Sequence, residues 1–287
     1  MPDSAFHVLG SRSLVGQHFL EILSDLHPSS SIYSYSRSNI SGSSTHHVGL
    51  ESIVANIAKS SSNVLISFLP VDVTLCVLAQ LSDQKCANSL AYVLCLSSTS
   101  AEVKRFSYFS YDRILSSRLL RSERIIHSLL SSFSIPYLII RPTMIYGISA
   151  NYSDKNLSRL SRLLRLVPFI LLPRTCGYRQ PVHYSSLSNA ILHAVNHTLT
   201  HGNPSRPSII SIGGDLELRY DQMLSDSTTH FLFGSNLKIL YIPDRLFVML
   251  TVPLLFFSPR AFEALMRIMS DLNGFTKSSD FLSLRSL

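Results

Sequence analysis

The sequence predicts an α/β protein built on a doubly wound parallel sheet, with a smaller lobe formed by the C-terminal part. Three observations carry this. Short apolar strand segments alternate with amphipathic helical ones through the first half of the chain. Several strand segments are apolar at every position, as happens when helices cover both faces of a sheet. After about residue 150 the alternation stops, and shorter strands mix with helices.

The elements follow in order. Residues 6–9 are a short apolar strand. Residues 14–26 place Leu14, Val15, Phe19, Ile22 and Leu23 at helical spacing. In 31–36, Ile32 and Ser34 alternate with Tyr33 and Tyr35, which suits a strand. Ile53, Val54, Ile57 and Ala58 fit a helix. Residues 64–69 form an apolar strand ended by Pro70, 71–81 a helix, and 91–96 another buried strand. Residues 113–133 make a long helix with Leu119, Leu120, Ile125, Ile126, Leu129 and Leu130 as its apolar face. A strand at 136–140 is closed by Pro142. Beyond it, 156–166 looks helical, with Arg159, Arg162 and Arg165 at spacing three. Strands are expected at Val182 and 209–212, and helices at 221–231, 244–256 and 261–269. No internal repeat occurs, and the Ser/Gly stretch 39–45 reads as a loop. The division expected is a sheet domain over 1–175, joined by a strand near 208–213, and a mostly helical lobe over 176–287.

Composition narrows the function classes. With 287 residues, 46% hydrophobic and 15% charged, the chain can bury a substantial core and is not a solvated, disordered one. The longest apolar run, 246–257, holds Thr251 and Pro253 and falls short of the ~20 residues of a membrane span. The first nine residues lack a basic region followed by a long apolar one, so no secretory signal is expected. The 25 Lys and Arg against 18 Asp and Glu give +7, a balance that suits nucleic acid, an anionic membrane or phosphate-bearing small molecules. No Lys/Arg run and no zinc-finger or RNA-binding signature is present, so no nucleic-acid partner is expected. Cys76, Cys86, Cys95 and Cys176 form no CxxC pair; reduced thiols and a cytoplasmic location fit them, and no metal site is expected. Serine is abundant, at 51, while glycine numbers only 11.

The scarce glycines make the turn after the first strand informative. Gly10, Ser11, Arg12, Ser13, Leu14, Val15 and Gly16 lie where a dinucleotide-binding fold sets its glycine-rich loop. That loop needs small residues so that backbone N–H groups at a helix N-terminus can approach a pyrophosphate. Gly10 and Gly16 have the spacing of the outer glycines of GxxGxxG, and Ser13 takes the middle place; an ordinary tight turn is the alternative. At the end of the second strand an acidic residue would select NAD through the ribose hydroxyl, but the sequence has Arg37. Arg12 and Arg37 match the geometry of a 2′-phosphate, so NADP is expected over NAD, against the alternative of two solvated arginines. Leu69 and Pro142, at the ends of two later strands, complete the expected cofactor-binding set.

Several motifs carry a resemblance. Gly-Ser-Arg-Ser-Leu-Val-Gly at 10–16 resembles GATGFVG. Leu-Ser-Ser-Thr-Ser at 96–100 resembles a strand end that bears an active-site serine or threonine. Leu-Ile-Ile-Arg-Pro-Thr-Met-Ile-Tyr-Gly at 138–147 is similar to LRPTxIYG, the most specific match. Tyr-Arg-Gln-Pro-Val-His at 178–183 is similar to RQPVHVDDLA. Ser-Ile-Gly-Gly at 211–214 with Tyr220 resembles NIGGxxxxxYxEM, and Asp271-Leu272 resembles the QDL of some bacterial members. Together, and nearly end to end, these resemble the extended and atypical short-chain dehydrogenase/reductases, the epimerase/dehydratase-like proteins. The resemblance implies a Rossmann-type domain with a smaller substrate lobe, and NAD(P)-dependent chemistry on a nucleotide sugar or other phosphorylated small molecule. It also implies that Ser98, with Thr99 as second choice, hydrogen-bonds the reacting oxygen, and that Arg179 and His183 bind substrate. The alternatives are a serine cluster that merely ends a strand, a surface arginine and a packing histidine.

The departures are as informative. The family's Tyr-x-x-x-Lys pair supplies a general acid/base and the lysine that lowers its pKa. Counting back from Glu123, in Leu-Arg-Ser-Glu, leucines occupy both positions, Leu115 and Leu119. Tyr108 and Tyr111 have Asp112 and Leu115 four residues on. Lys104, in a segment that resembles the TSxxTK of an atypical bacterial subgroup, is the remaining candidate catalytic cation. Ser185 and Ser186 stand where the family has paired aspartates. Two readings therefore stay open: an epimerase-like oxidoreductase, or a non-catalytic NAD(P)-binding protein used in sensing or assembly. The apolar run 246–257, between Arg245 and Arg260, is expected to be buried in the lobe or at a homodimer interface, with peripheral membrane contact as the alternative.

Overall fold

Six strands set the frame: β1 (Ala5–Leu9), β2 (Ile32–Tyr35), β3 (His46–Val48), β4 (Asn63–Ser67), β5 (Leu90–Leu96) and β6 (Tyr137–Pro142). In the computed structural model, which describes residues 4–36, 46–48, 52–149, 152–153, 169–201, 209–225 and 238–283, they run parallel in the order β6-β5-β4-β1-β2-β3. Strand Ile209–Gly213 pairs with β6, and the short strand Thr276–Lys277 pairs with it in turn, so the sheet has eight strands. The strand expected near 208–213 thus returns to the sheet. Arg37, the 39–45 loop and the helix expected at 156–166 lie outside the described residues.

The sheet is sandwiched because its strands are apolar on both faces. Every residue of β1, β4 and β6 is buried. Side chains alternate across the pleat. Phe6, Val8, Val64 and Ile66 join α1 (Leu14–Leu26), helix Tyr184–His201 and helix Ser278–Ser283 on one side. Leu9 and Leu65 join α2 (Ile53–Ile57), α3 (Val71–Asp83) and α5 (Ser110–Ser132) on the other. Between β5 and α5 comes the single turn α4 (Ser100–Val103).

The chain beyond 176 is divided between the two parts. Helix Tyr184–His201 lies against α1, and Ser188 Oγ donates to Val15 O at 3.1 Å. Residues on either side of that helix build a third, small cluster of Leu172, Cys176, Leu224, Phe247 and Ile268. Strand Phe169–Pro173 pairs there in parallel with Lys238–Ile242, a ribbon that the sequence pattern does not reveal. One buried side chain joins both parts. Gln180 Nε2 donates to Gly214 O (2.8 Å) and Phe275 O (3.0 Å), while Phe275 N donates to Gln180 Oε1 (2.9 Å).

The apolar run differs from expectation. It is two helices, Asp244–Thr251 and Leu254–Phe257, followed by Pro259–Met266. Pro253 has no N–H to continue the first helix, whose last bond runs from Val252 N to Val248 O. The run is not buried in the lobe, the first of its expected places. The third cluster is small and takes only one stripe of the helix, with Phe247 and Thr251 buried, and leaves Met249, Leu250, Phe256 and Phe257 exposed. Among the described residues no helix is long and apolar enough to cross a membrane.

Candidate functional site

Parallel register decides where the loops converge. Leu9 lies beside Ser67, Ser67 beside Cys95, Leu96 beside Ile140, and Pro142 beside Ile212. The segments that follow these strands, around Gly10, Leu69, Ser97–Thr99 and Thr143, therefore leave from one carboxyl edge. Between β1 and β4 the chain order reverses, and α1 and α3 cover opposite faces. A crevice opens at such a point, and it is where this kind of sheet binds ligands.

The first turn is shaped by its two glycines. Gly10 has φ +71°, a conformation that costs other residues about 1–2 kcal/mol. A Cβ there would also sit 3.0 Å from the Phe68 carbonyl carbon and 3.1 Å from Leu69 N, so the turn presses against the chain leaving β4. A Cβ on Gly16 would lie 2.7 Å from Gly10 O. Ser13 caps α1: its Oγ accepts from Gly16 N at 3.0 Å. Ser11 Oγ donates to Tyr35 O, and Gly10 N donates to the same carbonyl, which ties the turn to β2. Leu14 and Val15 are buried, so they can serve a ligand only through the backbone, whereas Arg12 is exposed at the mouth. A tight glycine turn at a helix N-terminus, with the neighbouring strand end at van der Waals distance, fits the pyrophosphate of a dinucleotide.

Behind the turn lies a closed polar network. His7 Nε2 and Asn63 Oδ1 are 2.8 Å apart, as are His7 Nδ1 and Tyr35 Oη. Asn63 Nδ2 donates to the carbonyls of Ile57, Ser60 and Ser89, so Oδ1 is the acceptor and the His7 proton sits on Nε2. Nδ1 then accepts from Tyr35. Burial lowers the His7 pKa to about 4, against a smaller opposing effect of Asn63, and pushes Tyr35 well above its usual range. Both groups stay neutral near pH 7.

At the end of β5 the hydroxyls of Ser97, Ser98 and Thr99 are used differently. Ser97 Oγ donates to Glu123 Oε1 at 2.5 Å. Thr99 is committed to the end of β6, with both its N–H and its hydroxyl donating to Pro142 O at 3.2 Å. Ser98 Oγ accepts from Ser100 N at 3.2 Å, which leaves its O–H to donate. Beneath them Arg141 holds Glu123 with two bonds (3.0 and 2.5 Å) and Glu102 with a third (2.5 Å). Burial alone would lower the Arg141 pKa, but these carboxylates raise it, so the charge is fixed. Cys95 stays a thiol, pushed up to about 12 by burial and by Glu123.

The remaining expected site residues are engaged by the protein itself. Lys104 Nζ pairs with Asp112 Oδ1 at 2.8 Å, and Arg267 takes the other oxygen. Burial works against ionisation of Asp112, yet these two partners hold its carboxyl below the usual range. Leu119 is buried and Leu115 packs beside it in the second apolar cluster; Tyr108 and Tyr111 are exposed. The Arg179 guanidinium donates to the carbonyls of Tyr178, Ser270 and Arg267 and lies 5.4 Å over the Tyr220 ring. His183 Nδ1 is 2.6 Å from Ser185 Oγ, and the ring packs against Tyr184 and Tyr146 at 4.5 and 5.1 Å. Burial and the nearby His18 lower its pKa. Tyr184 stands edge-on to His18 of α1 at 5.4 Å. His18, Tyr146 and Tyr184 thus surround His183 beside the first turn of α1. Tyr184 is the chain neighbour of His183, but sequence spacing carries no signal for the rest, because His18 and Tyr146 come from two distant segments.

No family model and no curated protein sequence matches the chain. Solved structures do. The UDP-glucuronic acid 4-epimerase from Bacillus cereus in complex with NAD is 14% identical, with TM-score 0.64 over 97% of this chain and 92% of that one. The UDP-N-acetylglucosamine 4-epimerase from Bacillus cereus is 14% identical, with TM-score 0.60 over 99% and 97%. The dTDP-glucose 4,6-dehydratase from Bacillus anthracis in complex with NAD is 14% identical, with TM-score 0.59 over 83% and 85%. The fold is that of these Rossmann-type epimerases and dehydratases, as the sequence motifs imply.

Proposed function

We propose that the protein binds a nicotinamide dinucleotide along the carboxyl edge of the sheet and acts there on a nucleotide sugar or another phosphorylated small molecule. The observation that carries this is Gly10, held at positive φ against Phe68 and Leu69 where no side chain fits. The pyrophosphate would rest on the 10–16 turn, with Leu69 and Pro142 as walls. The similar structures, several solved with NAD or a UDP-sugar, support the same ligand class. When bound, the nicotinamide accepts or gives a hydride. Ser98 would donate to a reacting oxygen, a role supported by the hydroxyl proton that its bond from Ser100 N leaves available, whereas Thr99 is tied to Pro142. Arg12 favours NADP over NAD, as does Arg37 in the sequence.

A second reading is favoured by Leu115 and Leu119. Neither side chain can move a proton or hold a ribose, and Lys104 is neutralised by Asp112. A protein that binds the dinucleotide without turnover, for sensing or assembly, fits that geometry. Two measurements separate the readings. Titration with NADPH and NADH tests the shared premise: no binding of either rejects both, and equal or tighter NADH binding rejects the NADP preference. Incubation with NADP and a panel of UDP- and dTDP-sugars then tests catalysis. Chromatography of the sugars detects a redox-neutral conversion in which the hydride is returned, and absorbance at 340 nm detects net hydride transfer. Binding with neither change leaves the second reading.

A further inference from the structure

The exposed part of the 246–257 run is not isolated. The loop between α4 and α5 and the first turn of α5 meet the helix that follows the run, Pro259–Met266, through Glu263, which accepts from Ser107 Oγ and Phe109 N, and through Arg260, whose guanidinium lies 4.8 Å over the Tyr111 ring. Two segments about 150 residues apart thereby form one surface. On it Phe106 and Tyr108 are each 87% exposed, Phe256 85% and Phe257 86%. Four aromatic side chains fully in water, on two loops pinned to each other, are costly unless something covers them.

The charges beside them say what. Arg105, Arg113, Arg245 and Arg260 are all exposed. Two of the carboxylates of the same segments are ion-paired, Asp112 with Lys104 and Arg267 and Glu263 with Arg267, and Asp244, which is bonded by Thr175 and stays charged, is outnumbered by the arginines. The face is therefore aromatic and basic, and the whole chain carries +7. We infer that this surface, centred on Phe106, Tyr108, Phe256 and Phe257, docks the protein on an anionic membrane, with the rings entering the headgroup region and the arginines pairing with lipid phosphates. Aromatic rings favour that interface, and each nearby arginine adds electrostatic attraction. A second copy is the poorer occupant, because a two-fold contact would bring the same arginines face to face. The inference is independent of the dinucleotide site.

Flotation of the full chain with phosphatidylcholine vesicles, with and without phosphatidylserine, tests it. The expected result is flotation with the phosphatidylserine vesicles at low salt, a bound fraction that falls as salt rises, and little binding to phosphatidylcholine alone. The pair Phe256→Ser/Phe257→Ser should lower partitioning about tenfold or more, and Arg260→Glu should lower it for anionic vesicles only. Phe106→Ser, on the other segment, should do the same as the Phe256/Phe257 pair. These side chains lie in solvent, so an unchanged thermal unfolding curve is the control for folding. Absence of flotation overturns the inference, as does flotation that all three variants retain. A dimer in sedimentation velocity that the Phe256/Phe257 variant dissolves overturns it in favour of a second copy.

Discussion

The turn after β1 and the helix α5 stand on the same carboxyl edge, and they have been treated in opposite ways. The turn keeps a demanding backbone: a positive φ at Gly10 and a contact at Gly16 that excludes any side chain. Helix α5 carries leucine at the two positions where the sequence resemblance implies a tyrosine and a lysine, and both leucines pack into the core. The difference teaches which constraint comes from where. A backbone cradle is retained only if a ligand or a tight crossing needs it. A helix face needs only to be apolar to pack, and leucines that pack there hold no group that can move a proton.

Five measurements break or sharpen that contrast, in descending size. Arg141→Met strands Glu123 unpaired in the core beneath α5 and should cost about 3–5 kcal/mol in urea unfolding. A cost under about 1 kcal/mol would mean that this pair does not anchor α5. On the turn side, the His7 network makes stability depend on pH. The folded pKa, about 4, lies below the unfolded value of 6.5. The unfolded chain therefore takes up the proton first, and stability falls as pH drops from 6.5 to 4, by roughly 3 kcal/mol, then levels off. His7→Gln should flatten this slope.

Leu119→Ala should cost about 2–3 kcal/mol while leaving dinucleotide affinity unchanged. A larger effect on affinity than on stability would give α5 a direct part in the site and break the contrast. Gly10→Ala should cost about 2 kcal/mol and also abolish dinucleotide binding, measured by calorimetry. If it destabilises but still binds, the cradle is only a crossing of β1 with the 67–69 segment. Ser13→Ala should remove the cap of α1 for about 1 kcal/mol, and Ser13→Gly should cost only a few tenths. Tighter dinucleotide binding in Ser13→Gly would show that the serine side chain narrows the site.

The sheet was readable in the sequence because its strands are buried on both faces: 91–96 is apolar without interruption, 64–69 is interrupted only by Ser67, and Pro70 and Pro142 mark strand ends. The ribbon of 169–173 with 238–242 was not, since its strands are half exposed and their partners lie some 70 residues apart. At the site, Gly10 and Gly16 were legible because only glycine fits where they are. The roles of Lys104 and Arg179 were not. Each is satisfied by groups that only the folded chain brings near, Asp112 with Arg267 in one case and the carbonyls of 267 and 270 in the other. Composition did not reveal that the lobe leaves the 246–257 run exposed, because hydrophobicity reports what a segment can bury and not how much core is available to receive it.

The amide of Gln180 also bears on how the chain is made. It spans Gly214 and Phe275, and the edge strand that it helps to fix, 276–277, emerges from the ribosome more than 60 residues after its neighbour 209–213. Until then the backbone of 212–213 is part of an open edge that another nascent chain could pair with. A chain truncated before residue 275 is therefore expected to leave the sheet with that edge uncovered.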